Sequence, residues 1–229
     1  MKEGRERMLK RVLLSLLLLA TTMTVGLAQS RKLSPVDDAA KDPSFKAFRD
    51  RLVAAVKRHD ETVLYESLDP KIANSFGGDG GIAEFKEIWK MGEARTKLWD
   101  ELATILSMGG SFGKTEGPKS FCAPYVFSNF PDAGFDATGY AVITGTRVRV
   151  RAQPRLKAPV VTSLSYDIVE VDNEPSASGD SNDEWVKIIL PNKKRGYVYG
   201  KYIRRPTDYR ACFEKKQGKW KMTALIAGD

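Results

Sequence analysis

The chain has 229 residues, 42% of them hydrophobic, with 37 Lys and Arg against 29 Asp and Glu, a net charge of +8. That apolar content is too high for a disordered protein, and the length allows one large domain or two small ones. One His and two Cys exclude the common zinc sites, which draw several ligands from those residue types.

The first residues read as a secretory signal peptide, residues 1–28. Lys2, Arg5, Arg7, Lys10 and Arg11 precede the apolar run "VLLSLLLLATTMTVGLA", which ends on the small-x-small site Gly26-Leu27-Ala28. The run Val12–Ala20 is shorter than the roughly 20 residues that span a bilayer. Cleavage is expected near Ala28, giving a periplasmic or secreted protein that meets the membrane only through the cleaved segment. Residues 140–229 hold 17 basic and 10 acidic residues, net +7, whereas residues 29–139 are net −2. Outside the cytoplasm a basic half meets anionic polymers, anionic lipids or acidic proteins; no nucleic-acid partner is expected.

Residues 29–43, "QSRKLSPVDDAAKDP", are polar and proline-containing and read as a flexible leader. Residues 44–139 read as a mostly helical domain. Pro43-Ser44 opens a helix in which Phe45, Phe48, Leu52 and Val56 recur at three-to-four spacing. Val63, Leu64 and Leu68 suggest a short helix that Asp69-Pro70 breaks. "SFGGDGG" (75–81) is a loop, Ile82, Phe85, Ile88 and Trp89 mark another helix, and Leu98, Trp99, Leu102, Ile105 and Leu106 form the clearest stripe, ending at Gly109-Gly110.

The stretch "MGGSFGKTEG" (108–117) fits three active-site patterns at once: G-x-S-x-G, S-x-x-K and the tail of a phosphate-binding loop. Each fails on context. The glycine pair follows a helix, where a nucleophile elbow and a phosphate loop both need a preceding strand. The single histidine, His59, lies upstream, and neither S-D-N nor K-T-G accompanies the S-x-x-K. The stretch reads as a loop. Cys122 or Cys212 with His59 has the atoms for thiol catalysis, but no local pattern supports it. In an oxidising compartment the two cysteines could form one disulfide; the alternative is two buried free thiols, or one of each kind.

From Tyr140 the period changes to two. In "YAVITGTRVRVRAQP", Val148 and Val150 share one face and Arg147, Arg149 and Arg151 the other. "YDIVEVDN" alternates Ile168 and Glu170 against Val169 and Val171; "EWVKIIL" and "YVYGKYI" are further strands, with "PNKKRG" a turn and "DNEPSASGDSNDE" a loop. Short strands punctuated by turns imply a small β-barrel over residues 140–206.

In the order and spacing of "VITGTRVRVRAQP", "VVTSLSYDIVEV", "EWVKIIL" and "KRGYVYGKYI", this segment resembles the bacterial SH3-like domains. Arg149 stands where that family has Asn, and Tyr197 where it has Trp. The resemblance implies a recognition or targeting module of an extracytoplasmic protein, binding peptidoglycan or peptides or supporting a neighbour. The candidate groove residues are Tyr166, Tyr197, Tyr199 and Tyr202 with Arg149, Arg151 and Arg204: aromatic faces for sugar or apolar surface, arginine forks for carboxylates. Trp185 is assigned to the barrel core.

Residues 207–229 read as a β-hairpin, Tyr209–Lys215 and Lys219–Ile226 about a turn at Gln217-Gly218, with Tyr209, Ala211 and Phe213 on one face and Trp220, Met222, Ala224 and Ile226 sharing another. A hairpin this apolar needs cover. Following helices at the start of the chain, its "GKW" resembles α+β cone folds of the nuclear-transport-factor type. That likeness implies an inserted barrel and a Cys122–Cys212 staple between the two parts of one domain.

The expectation is an α+β protein: a mostly helical N-terminal half, a small SH3-like β-barrel, and a C-terminal hairpin packed on the helical part. Its expected role is non-catalytic and cofactor-free, with the module recognising cell-wall peptidoglycan or an envelope protein or peptide. The alternatives are a structural or interaction protein with a ligand cavity in the helical-plus-hairpin domain and, last, a hydrolase using His59.

Overall fold

The computed structural model describes residues 32–93, 96–113, 119–131, 134–173 and 184–228. Residues 1–28, read above as a signal peptide, and most of the "DNEPSASGDSNDE" stretch lie outside them. In chain order the elements are α1 (Pro43–Arg58), α2 (Glu61–Ser67), β1 (Leu68–Ala73), α3 (Gly81–Ile88), α4 (Leu98–Ser107), β2 (Ser111–Phe112), β3 (Ser120–Ala123), α5 (Tyr125–Ser128), β4 (Tyr140–Ile143), β5 (Val148–Arg151), β6 (Val160–Leu164), β7 (Ile168–Val171), β8 (Trp185–Ile189), β9 (Arg195–Tyr199), β10 (Ile203–Arg204), β11 (Arg210–Lys216) and β12 (Lys219–Ile226). The fold is α+β, with helices and two mostly antiparallel sheets ordered β1-β12-β11-β3-β2 and β10-β4-β7-β8-β9-β5-β6.

Helix α1 starts at Asp42, whose carboxylate accepts from the Ser44 and Phe45 amides at 2.9 and 3.1 Å, with Pro43 beginning the first turn. Its apolar stripe puts Phe45, Leu52 and Val56 into a core shared with Leu102 and Ile105 of α4, Phe121 of β3, Phe213 of β11 and Trp220, Met222 and Leu225 of β12. Phe45 is the hub: its ring centroid lies 4.3 Å from Phe121, 4.9 Å from Trp220 and 5.6 Å from Phe213. The hairpin is therefore a structural part of the first sheet, its type I′-like turn built on Gln217 and Gly218, both at positive φ.

Three readings of the sequence need correction here, and one is extended. The short helix does end before Asp69-Pro70. Helix α2 stops at Ser67, and the pair lies inside β1, which runs parallel to β12 at the sheet edge, where a missing amide costs no ladder bond. Ser111-Phe112 is not loop but an edge strand paired to Cys122 and Phe121. A built Cβ on Gly110 would run into the Cys122 carbonyl, so this "GGS" glycine serves close backbone approach. The alternation in β12 is broken by a bulge between Phe213↔Met222 and Cys212↔Ala224; the extra residue turns Leu225 inward and leaves Ala224 and Ile226 half-buried. Lastly, residues 32–42 are packed rather than free. Ala39 is fully buried, Arg49 holds Asp37 through two bonds of 2.6 and 2.9 Å, and the Lys32 ammonium lies 3.0 Å from Asp167.

The second sheet has its own core of Ala141, Ile143, Val150, Val169, Ile188 and Val198. It is inserted between β3 and β11, which are neighbours in the first sheet. Among the described residues no ladder pairs its outermost strands, β10 and β6, with each other. A third apolar cluster joins the two parts: Tyr125 and Val126 of α5 meet Val142 of β4, with Leu33, Val36, Met108 and Ile168 against them. Beside it Arg204 of β10 donates to the Glu101 carboxylate of α4 at 2.6 Å and to the Tyr209 carbonyl.

Candidate functional site

Strand β5 turns Val148 and Val150 inward and leaves Arg149 exposed and Arg151 half-buried. Strands β8 and β9 do the same for aromatic residues: Ile188, Gly196 and Val198 are buried, while Trp185, Tyr197 and Tyr199 stay half-buried on the other face. The registers bring these side chains together. Trp185 pairs with Tyr199 and Lys187 with Tyr197, and Arg151 pairs with Tyr197; continuing that antiparallel register sets Arg149 against Tyr199. Gly196 permits the approach of β9 to β5, because a Cβ there would strike the Val150 side chain.

The result is an open groove of about 440 Å³ on the outer face of the sheet. Its aromatic wall is Trp185, Tyr199 and Tyr202, with centroids 5.4 Å apart for the first pair and 6.4 Å for the second. Its basic wall is Arg147, Arg149, Arg151 and Lys201, and no Asp or Glu is among the lining residues. Leu156, 69% exposed, forms an apolar lip.

The electrostatics of this face are uneven. Outside the groove, the Asp172 carboxylate, 2% exposed, binds Arg195 at 2.6 Å and Lys187 at 2.8 Å, so those two cations are already matched. Inside it, Arg151 donates to the Ala158 carbonyl at 2.8 Å. Arg147, Arg149 and Lys201 form no ion pair among the described residues. Lys201 lies 5.6 Å from the Tyr202 ring centroid. Arg147 is left-handed, φ 52°, and its amide donates to Ser165 Oγ at 2.8 Å. Ser165 belongs to the Ser165–Asp167 turn that Lys32 grips through the Ser165 carbonyl and the Asp167 carboxylate.

Of the seven residues singled out from the sequence, Arg149, Arg151, Tyr199 and Tyr202 line the groove. Tyr197 shares the outward face but lies outside the lining. Tyr166 is elsewhere: it is the left-handed residue of the 165–167 turn, φ 58°, bonded through its backbone to Leu33 and Gly145. Arg204 is also elsewhere, its side chain 10% exposed and committed to Glu101. Trp185, assigned above to the core, is a groove residue, because it has the outward parity of Lys187 rather than that of Ile188. Arg147 and Lys201 complete the basic wall; the parity of Arg147 with Arg149 was visible in the sequence, whereas Lys201 lies in a 3-10 turn, Gly200–Tyr202, that interrupts the "YVYGKYI" read above as one strand.

The catalytic candidates do not assemble. Cys122 and Cys212 are bonded to each other, which leaves no thiol for a Cys-His pair. His59 is the exposed left-handed C-cap of α1, stacked on Trp99 with centroids 5.1 Å apart. Among the described residues no three His, Cys, Asp or Glu side chains are grouped to hold a metal ion, and no helix is long and apolar enough to cross a membrane.

Residues 146–204 match the family model of the bacterial SH3 domain. The match spans the groove and leaves out β4, which completes the sheet beside β10 and β7. No curated protein and no solved structure matches the chain.

Proposed function

We propose that the bacterial SH3 domain at residues 146–204 is the binding head of a non-catalytic extracytoplasmic protein, and that it recognises cell-wall peptidoglycan through the groove between Arg149 and Tyr199. In this reading its curled sheet is an SH3-type barrel, the helical part and hairpin form the base that carries it, and the signal segment delivers the chain to the envelope. The observation that carries the reading is the groove itself. Arg147, Arg149 and Lys201, which form no ion pair among the described residues, stand with three aromatic rings and no carboxylate among the lining residues. A site of this composition attracts an anionic ligand over a Debye length of about 8 Å and then holds it by ring contact that salt does not screen.

A cavity in the helical-plus-hairpin part is less well supported. The cleft there, about 600 Å³, is lined by Ser44, Phe48, Arg51, Glu66, Lys219 and Lys221, and its charges are largely matched: Arg51 pairs with Glu66 and Lys221 donates to the Glu66 carbonyl. The test of the wall reading is co-sedimentation of the mature chain with insoluble peptidoglycan over a salt series. Retention that persists at high salt supports it; retention that vanishes with modest salt, or never occurs, overturns it and directs the search to an envelope protein or peptide.

A further inference from the structure

We infer that the group this groove reads is the free carboxylate at the end of a short peptide segment, held by the Arg149 guanidinium and the Lys201 ammonium, with the adjoining peptide planes and an apolar side chain laid on Trp185, Tyr199 and Leu156. The inference rests on the reading of residues 146–204 as a binding head and deepens it. Three features point to this ligand. The charge is unmatched: neighbouring Lys187 and Arg195 share Asp172, whereas Arg147, Arg149 and Lys201 have no acidic partner among the described residues. A guanidinium fork takes a planar anion through two parallel bonds.

The second feature is size. About 440 Å³ suits a chain end of a few residues and not a long polymer tract; small-ligand sites run from roughly 300 to 1,000 Å³. The third is the apolar area beside the charge. Trp185 and Tyr199 meet edge to face at 5.4 Å, and Leu156 stands 69% exposed at the lip. A phosphate-backbone polymer offers little to ring faces and a leucine side chain, whereas a peptide end offers amide planes and apolar side chains next to its carboxylate.

The test uses the full mature chain and two soluble probes, acetyl-Leu-Ala-Ala as the free acid and as the C-terminal amide, titrated while the indole N–H of Trp185 and the guanidinium of Arg149 are followed by NMR. The free acid is expected to bind at least about ten-fold more tightly than the amide, since charge-assisted bonds are about twice as strong as neutral ones, and to shift both signals. Arg149→Lys, which keeps the charge and loses the fork, is expected to reduce that preference several-fold. Equal affinity for acid and amide overturns the inference, as does an equal response to acetate or inorganic phosphate, or shifts that map away from the groove. The outcome separates from that of the wall reading: wall retention without acid preference sinks only the carboxylate, and acid preference without wall retention sinks only the wall.

Discussion

Cys122 and Cys212 stand directly opposite each other on β3 and β11, their Cα atoms 4.2 Å apart, and the bond between them closes a span of 90 residues that contains the whole SH3 domain. The domain is thus inserted between two adjacent strands, and the disulfide ties the strands at the base of the insertion. Replacing both cysteines with alanine is expected to lower stability by about 2–5 kcal/mol, the range for a bridge that closes a long loop. The loss should appear as a lower denaturant midpoint. Amide exchange in β5 and β9 should be little changed, because neither cysteine belongs to the core of Val150, Ile188 and Val198.

Phe45 joins α1 to both strands of the hairpin and to β3. Truncation to alanine removes the hub of a closed aromatic cluster, and an expected loss of about 3–5 kcal/mol follows from the cavity left behind. Denaturant unfolding followed by the tryptophans measures it; a loss below about 1 kcal/mol would mean that the hairpin does not depend on this core.

Three ion-paired carboxylates should contribute to acid lability. The Lys119 ammonium, with Ser44 and the Phe45 amide, holds Asp42 far below the usual carboxylate range. For Asp37 and Asp69 burial works upward but is outweighed, by Arg49 and by Lys216 respectively, so both end below their ordinary value. A carboxyl depressed in the folded state stabilises fully above its unfolded pKa, about 3.9, and loses that contribution as pH falls through the folded value. Stability is therefore expected to drop below about pH 4. Asp42→Asn, which still caps α1, should flatten the acid limb, and an unchanged slope would show that Asp42 is not a source of it.

Arg204 is predicted to matter for the joint and not for binding. Arg204→Ala removes the bonds to Glu101 and the Tyr209 carbonyl and should cost about 1–3 kcal/mol. Wall retention of the folded variant should equal that of the parent, since its side chain lies outside the groove.

The helices from Pro43, Gly81 and Leu98 were legible because each carries a 3.6-residue apolar stripe, and the SH3 strands because Val148/Val150 and Val169/Val171 alternate cleanly. The strands β1, β2 and β3 were not. β1 contains a proline that only its edge position tolerates, and β2 is too short for any period to show. The inward turn of Leu225 depends on a bulge whose cause is pairing with β11, a long-range fact. The groove was half legible for a similar reason. Arg149 and Arg151 follow from parity within one strand, but whether Trp185 faces core or solvent is fixed by its register with Tyr199 on the next. Arg204 looked like a third arginine of the groove, but its side chain is committed to Glu101 of α4, 103 residues away in the chain, which no local pattern announces.

The most direct test of the groove compares two variants of equal charge, Arg149→Ala and Lys194→Ala, for co-sedimentation with peptidoglycan at about 0.15 M salt and above, where the screening length is about 8 Å or less. Lys194 is exposed in the "PNKKRG" turn and lies outside the groove lining. Loss of retention in the Arg149 variant with retention intact in the Lys194 variant is the predicted result. Equal losses in the two variants would mean that net positive charge, and not the groove, holds the protein to the wall.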